Sequence, residues 1–312
     1  LVLGGSLIQA AQDLLAAVEI ATALNSETDF QLLQDNLFNE SVLRTMARGE
    51  PFFRSALIQL EQAKSIIEVL EERDLPPRFQ KMVASARQVT PTLAIFARTG
   101  LAASELWESF LGYEEPRSYL LVAQNSDELR ATGGFIPGAW ILTLDQGEIV
   151  QLQFWDTEAV DDLSAGPPLP PEGLLQSLWA GAWLFRDAGW YPDFPTSASV
   201  IEQIFKLGRG IAVDGTITFD QWAVRAMLEA IGPITLSTGE VLDSNSYIRV
   251  LEDKTDALGR EFMDTALDAL LDRLQEQGTR QDMGALLAAL NRNLNEKHIL
   301  LYFHDQDIQK IA

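Results

Sequence analysis

Two short stretches concentrate the residue types that binding and catalysis need. The first is Gln124-Asn125-Ser126-Asp127-Glu128-Leu129-Arg130-Ala131-Thr132-Gly133-Gly134-Phe135. It follows Ser118 to Ala123, an apolar run that reads as a buried strand. Polar, charged and flexible residues at the C-terminal end of a strand sit where open α/β sheets place ligands. Arg130 offers a fixed fork of N–H donors, and Gly133-Gly134 would let backbone N–H groups come close to an anion. The same residues also describe a tight turn with one surface arginine, since the spacing is neither a phosphate loop nor a dinucleotide fingerprint.

The second stretch is Phe185-Arg186-Asp187-Ala188-Gly189-Trp190-Tyr191-Pro192-Asp193-Phe194-Pro195-Thr196, just before a helix expected over 196–207 with Thr196 or Ser197 as its cap. A helix start favours an anion, and the carboxylates of Asp187 and Asp193 are ligands of the kind that hold a hard divalent cation. Trp190 beside polar groups suits a sugar face. The alternative is a rigid, proline-pinned loop whose aromatics complete the core. Both loops combine an arginine, nearby carboxylates and Gly or Pro, so 124–134 and 185–196 are expected to face one cleft. Arg130 and Arg186 would then be opposing donors. Asp156, Glu158, Asp161 and Asp162 either share a cation or form a solvated acidic loop. His298 and His304 are six apart, the wrong spacing for a metal pair on one helix face, and read as strand-flanking and surface residues.

Composition narrows the function classes. The chain has 312 residues, 47% hydrophobic and 22% charged, enough for a real core. Its formal charge of −22 leaves no broad basic face, which excludes nucleic acid and polybasic docking on anionic lipid. Cysteine is absent, which removes disulfides, thiolate metal sites and thiol nucleophiles.

The elements that must position these loops change character near residue 114. Before it, apolar residues recur at helical steps over 7–23, 28–48, 51–73 and 78–110. Gly49-Glu50-Pro51 reads as a stop and restart, and Thr90-Pro91 as a kink or a new helix start. Residues 1–114 therefore read as an antiparallel bundle of four or five helices. The opening Leu1-Val2-Leu3-Gly4-Gly5 reads either as the end of an upstream membrane or signal segment or as an ordinary helix start. Residues 115–312 read as a three-layer α/β domain with a mixed sheet. Strands are expected at 118–123, 135–144, 148–155, 215–219, 234–236 and 299–303, with a hairpin turn at Asp145-Gln146-Gly147. Helices are expected at 196–207, 220–231 with Asp220 as N-cap, 243–277 and 280–295. Arg260 falls inside the third of these.

Five motifs in order carry a resemblance: 125–135, 186–196, Val213 to Asp220, Leu228 to Ile234 and Glu296 to Phe303. Together they resemble the bacterial and archaeal domain-of-unknown-function family four-zero-one-two over roughly residues 116–312. That resemblance implies a membrane-anchored extracytoplasmic protein of no settled activity. More distantly, strand, arginine loop, hairpin, helix, then Val-Asp-Gly, strand, Asp, helix and Gly-Pro is similar to the order in LytR–CpsA–Psr phosphotransferases. Those enzymes move a glycopolymer from a polyprenyl-pyrophosphate carrier to the cell wall, using arginines and Mg²⁺-binding aspartates. The resemblance implies Arg130 and Arg260 as pyrophosphate contacts and a fold like that family's, although Asn125 stands where an aspartate is expected there.

The expectation is an extracytoplasmic, membrane-tethered envelope protein. Either it handles a polyprenyl-pyrophosphate-linked glycopolymer or it is a non-catalytic structural or assembly protein of the cell surface. In the first case Arg130 and Arg260 act on the pyrophosphate, with Arg186, Gly133, Gly134 and Trp190 lining the site. Asp187 or Asp193 would bind Mg²⁺, the one cofactor this chemistry implies. The partners are an envelope glycan or polyprenyl-phosphate lipid, a membrane through a segment upstream of residue 1, and further copies of the chain in an oligomer.

Overall fold

The computed structural model describes residues 5–10, 12–13, 40–73, 75–178, 181–258, 260, 262–276 and 280–311. The chain forms two compact units, one of residues 1–115 with 146–148, the other of 116–145 with 149–312.

In the first unit, residues 5–10 are helical and two long helices follow, α1 (Glu40–Glu71) and α2 (Pro77–Phe110). They pack antiparallel. Ala56 and Leu60 of α1 meet Leu93, Ala94 and Ala97 of α2, whereas Ile67, nearer the end of α1, meets Val83 and Ala86. The stop read at Gly49-Glu50-Pro51 is corrected, since α1 runs through Pro51; α2 is the one stretch expected over 78–110 and runs through Pro91 without a new start. Each proline costs one backbone bond; at Pro91 the apolar seam between the helices runs on, from Val83 and Ala86 before it to Leu93, Ala94 and Ala97 after it. Thr90, expected as an N-cap, is instead buried and donates its hydroxyl to the Ala86 carbonyl at 2.7 Å, one turn back. Most of the helices expected over 7–23 and 28–48 lies outside the described residues.

The second unit is built on a mixed five-stranded sheet, ordered β3-β2-β1-β4-β7, from β1 (Arg117–Gln124), β2 (Gly138–Asp145), β3 (Glu148–Asp156), β4 (Gly215–Asp220) and β7 (Ile299–Phe303). β1 is antiparallel to β2 and parallel to β4, and β4 is antiparallel to β7. The two-residue connection Gln146-Gly147 has positive φ at both positions, 51° and 81°, as a tight hairpin needs. It makes β3 antiparallel to β2 and hence parallel to β1. β2 begins three residues later than expected because Pro137 has no N–H for the ladder. Phe135 makes only a single bridge, to Asn125.

Alternation along the strands covers both sheet faces. Leu120, Val122, Ala139 and Ile141 pack with Ile201, Ile204 and Phe205 of helix α5 (Phe194–Arg209). Leu121, Ala123, Trp140 and Phe219 pack with Leu251 of α7 (Tyr247–Leu258) and with Met263 and Leu267 of α8 (Phe262–Glu276). The helix expected over 243–277 is thus two helices, and Arg260 lies in the break between them. Two short helices, α3 (Thr157–Val160) and α4 (Glu172–Leu178), lie between β3 and α5. After β4, α6 (Gln221–Ile231) starts at Asp220, whose carboxylate accepts the Trp222 and Ala223 N–H groups. Residues 234–236 do not join the main sheet. β5 (Ile234–Thr235) pairs with β6 (Val241–Leu242) in a separate two-stranded sheet. Helix α9 (Arg280–Glu296) precedes β7, and α10 (Gln306–Ile311) follows it.

Candidate functional site

This topology brings one set of strand ends to the same edge: the C-termini of β3, β1 and β4 at Asp156, Gln124 and Asp220, and the start of β7 after His298. The loop 125–137 folds over that edge and is held from several sides. Ser126 N–H donates to Gln221 Oε1 (3.2 Å), Phe135 N–H to Glu128 O (2.8 Å), and buried Gln124 Nε2 to Thr132 Oγ1 (2.7 Å). Gly134 is required by close approach, since a Cβ there would stand 1.9 Å from the Asn125 carbonyl oxygen. Gly133 has φ +139° and spends its N–H on the Arg130 carbonyl. The glycines therefore close the loop on itself, and the Gly133 N–H is not presented to an anion.

Loops 124–134 and 185–196 meet. Thr132 N–H donates to Gly189 O (3.3 Å) and Ile136 N–H to Arg186 O (3.1 Å). Between them lies a buried ion pair. Arg130 Nε donates to Asp187 Oδ1 at 2.8 Å and its Nη2 lies 2.6 Å from the same oxygen, with side-chain exposures of 12% and 6%. Arg130 Nη1 donates to the carbonyls of Leu129 (2.9 Å) and Glu128 (3.4 Å). All three guanidinium nitrogens are thus engaged within the protein.

Arg260 reaches the same place from the α7–α8 break. Its Nη1 contacts Asp156 Oδ2 (3.1 Å) and Glu158 Oε1 (3.4 Å). Asp156 also caps α3 by accepting the Glu158 N–H. The guanidinium carbons of Arg130 and Arg260 lie 6.0 and 5.9 Å from the centroid of the Phe135 ring, so one aromatic ring collects both cations. Arg260 keeps Nε and Nη2 unpaired among the described residues. Among the described residues the Arg186 side chain pairs with Asp187 alone, Nε to Oδ2 at 3.4 Å, and it is 47% exposed.

The two carboxylates read as metal ligands are not brought together for that task. Asp187 neutralises Arg130. Asp193, not Thr196 or Ser197, caps α5 by accepting the Thr196 N–H (3.1 Å), and the Thr196 hydroxyl and N–H hold its pKa below the usual range. Among the described residues no group of three or more His, Asp or Glu side chains is placed to hold a metal ion. Trp190 packs half-buried on the core under α5, with Gly173 leaving room for its ring.

The sequence reading missed three features. His298 Nδ1 lies 2.7 Å from Asp220 Oδ2 at the same sheet edge, which orients the ring through a carboxylate that also starts α6. At the opposite end of β7, His304 Nε2 lies 2.7 Å from Glu202 Oε2, and Glu202 also accepts the Thr216 hydroxyl. Both carboxylate partners are remote in sequence and carry no spacing signal. Asp161, read as part of an acidic loop, accepts the Phe185 N–H (2.9 Å), and burial pushes its pKa up.

Residues 114–255 match the family described as "Protein of unknown function (DUF4012)". Over those residues the chain resembles that family. Four of the five motifs fall within the matched residues, and the last, 296–303, lies beyond them. No curated protein matches the chain. Among solved structures, the chain is similar to protein gbs0355 from Streptococcus agalactiae, at 12% identity over 63% of this chain and 72% of that one, with a TM-score of 0.41. It is also similar to the transcriptional regulator yvhJ from Bacillus subtilis, at 13% identity over 63% of this chain and 93% of that one, TM-score 0.33. The Lin1025 protein from Listeria innocua is similar at 13% identity over 63% and 95%, TM-score 0.34.

Proposed function

We propose that the α/β unit of this protein binds the pyrophosphate of a polyprenyl-linked glycopolymer at the C-terminal edge of its sheet. The observation that carries this reading is the gathering of Arg130 and Arg260 on Phe135, with Arg186 on the adjoining loop. Roles within the set differ from those the sequence suggests. Arg130 engages Asp187 and two carbonyls through all three of its nitrogens, so it fixes the two loops. Among the described residues Arg260 and Arg186 keep more unpaired N–H groups and are the donors a diphosphate would meet. Under this proposal the domain is LytR–CpsA–Psr-like and extracytoplasmic, the helical N-terminal unit is a spacer in a bundle, and the chain is tethered through a segment upstream of residue 1. That placement rests on the motif resemblance.

A second reading, a non-catalytic structural or assembly protein of the cell surface, is favoured by the internal pairing of Arg130 with Asp187 and by the use of Asp193 as a helix cap. The experiment that separates the two is a titration of the chain with farnesyl pyrophosphate and with farnesol. The first reading expects the pyrophosphate to bind and Arg260→Ala to weaken it by ~1.5–3 kcal/mol, the scale of a charge-assisted hydrogen bond. Equal binding of the two ligands, or unchanged binding in a folded Arg260→Ala variant, leaves the structural reading.

A further inference from the structure

A second cluster of donors lies on the other side of β3 from Arg260. Asp156 turns its carboxylate to Arg260, whereas Trp155, its neighbour in the strand, packs on the core cluster that includes α5. Arg209, the last residue of α5, stacks on the Trp155 ring with its guanidinium carbon 4.9 Å from the centroid. The end of α5 is pressed against α3, since a Cβ on Gly208 would fall 1.8 Å from the Val160 carbonyl oxygen. At this junction the Trp155 Nε1, Thr157 Oγ1 and Arg209 Nε atoms are all buried, and none has a hydrogen-bond partner. Thr157 is 1% exposed.

These groups do not satisfy one another: indole N–H and guanidinium N–H only donate, and the Thr157 hydroxyl, which can accept, bonds to neither. Buried donors without acceptors are rare in folded proteins, and several in one neighbourhood point to a missing acceptor. Among the described residues Arg209 also has no carboxylate at salt-bridge distance, in a chain of formal charge −22 where carboxylates are abundant. Asp161, whose carboxylate Arg209 influences, accepts the Phe185 N–H and lies beyond salt-bridge distance of Arg209. The missing partner therefore has acceptors and negative charge.

We propose that Trp155, Thr157 and Arg209 form an anion site for a tetrahedral oxyanion, a phosphate taken up free or as the phosphoryl group of a sugar phosphate. It is separate from the site at Arg260, and it stands whether or not the pyrophosphate reading does. Arg209 would supply the charge and the planar fork, the indole N–H a second donor and the threonine hydroxyl a third. Trp155 and Arg209 are only half-buried, so the site would be entered along their outer edges.

The test is a titration of the whole chain with inorganic phosphate, and separately with glucose 1-phosphate, followed by tryptophan fluorescence and thermal shift. Phosphate is expected to bind. Arg209→Gln should weaken it about tenfold or more, and Thr157→Val severalfold, whereas Arg249→Gln, at an exposed arginine paired with Asp253, should leave it unchanged. Trp155→Phe should remove the fluorescence change. Tighter binding of glucose 1-phosphate than of phosphate assigns the site to a sugar phosphate, and equal binding assigns it to the free ion. Either result supports the site. Should Arg209→Gln not fold, Arg209→Lys keeps the charge without the fork and should bind phosphate more weakly. No binding up to ~10 mM phosphate overturns the proposal. So does unchanged affinity in folded Arg209→Gln, or a crystal structure in phosphate with an ordered water alone bridging the three groups.

Discussion

Removing the carboxylate of Asp187 is the most informative single change in the α/β unit. Asp187→Ala deletes both contacts to Arg130, at 2.8 and 2.6 Å, and the weaker one to Arg186 at 3.4 Å. It leaves the Arg130 guanidinium with a 12% exposed side chain and only the Leu129 and Glu128 carbonyls for company. Breaking a buried pair from one side costs ~3–5 kcal/mol, because the surviving charge is stranded away from water. The two carbonyls offset part of that, which places the expectation near the lower end, about 3 kcal/mol. The double variant Arg130→Met with Asp187→Leu keeps the volume and strands no charge, so it should lie within ~1.5 kcal/mol of the wild type. Urea denaturation of the wild type, the single variants Arg130→Met and Asp187→Leu and their double, followed by tryptophan fluorescence, gives the cycle. A coupling energy of ~2 kcal/mol is expected between residues in direct contact. A loss below ~1 kcal/mol for Asp187→Ala would place the pair among ordinary surface salt bridges and refute its role as the lock between the two loops.

Further outcomes follow from the same geometry. Gly134→Ala should destabilise the unit by ~3 kcal/mol or more in the same assay, because its Cβ would meet the Asn125 carbonyl at 1.9 Å. Gly210→Ala, strained at φ +73° but facing open space, should cost only ~1–2 kcal/mol. Asp220→Ala removes the cap of α6 and the His298 contact and should cost ~2 kcal/mol, whereas Asp220→Asn keeps the cap and most of the stability. The raised pKa of Asp161 means that the folded state holds its proton more tightly than the unfolded chain does. Stability from this group is present below the unfolded carboxylate value and is lost as pH rises through the folded value. Asp161→Asn, which can still accept the Phe185 N–H, should therefore gain stability relative to wild type at pH ~7 and gain less at pH ~4. Denaturation at the two pH values checks the sign.

What the sequence made legible was the local grammar. The apolar run at 118–123, the turn at Gln146-Gly147 and the cap at Asp220 follow from near neighbours, and the structure keeps them. Pro51 misled because proline chemistry is local, while the packing of α1 on α2 is tertiary. Arg260 was placed inside a helix because the apolar periodicity runs on either side of it. The chain's turn there is what brings it to Phe135. At the site, residue types were readable and pairings were not. Arg130 and Asp187 both stood out, one as a donor and the other as a metal ligand, but their distance apart in sequence gave no hint that each satisfies the other. Trp155, Thr157 and Arg209 gave no signal at all, since an unsatisfied donor exists only once the fold has buried it.

The central claim is that a diphosphate binds at the sheet edge where Arg130 and Arg260 share Phe135. A crystal structure of the chain with farnesyl pyrophosphate tests it most directly. The account predicts phosphate oxygens within hydrogen-bond distance of the unpaired Arg260 and Arg186 nitrogens, with the Arg130–Asp187 pair still closed behind them. A diphosphate bound elsewhere with that edge empty, or a ligand that displaces Asp187 from Arg130, would contradict it.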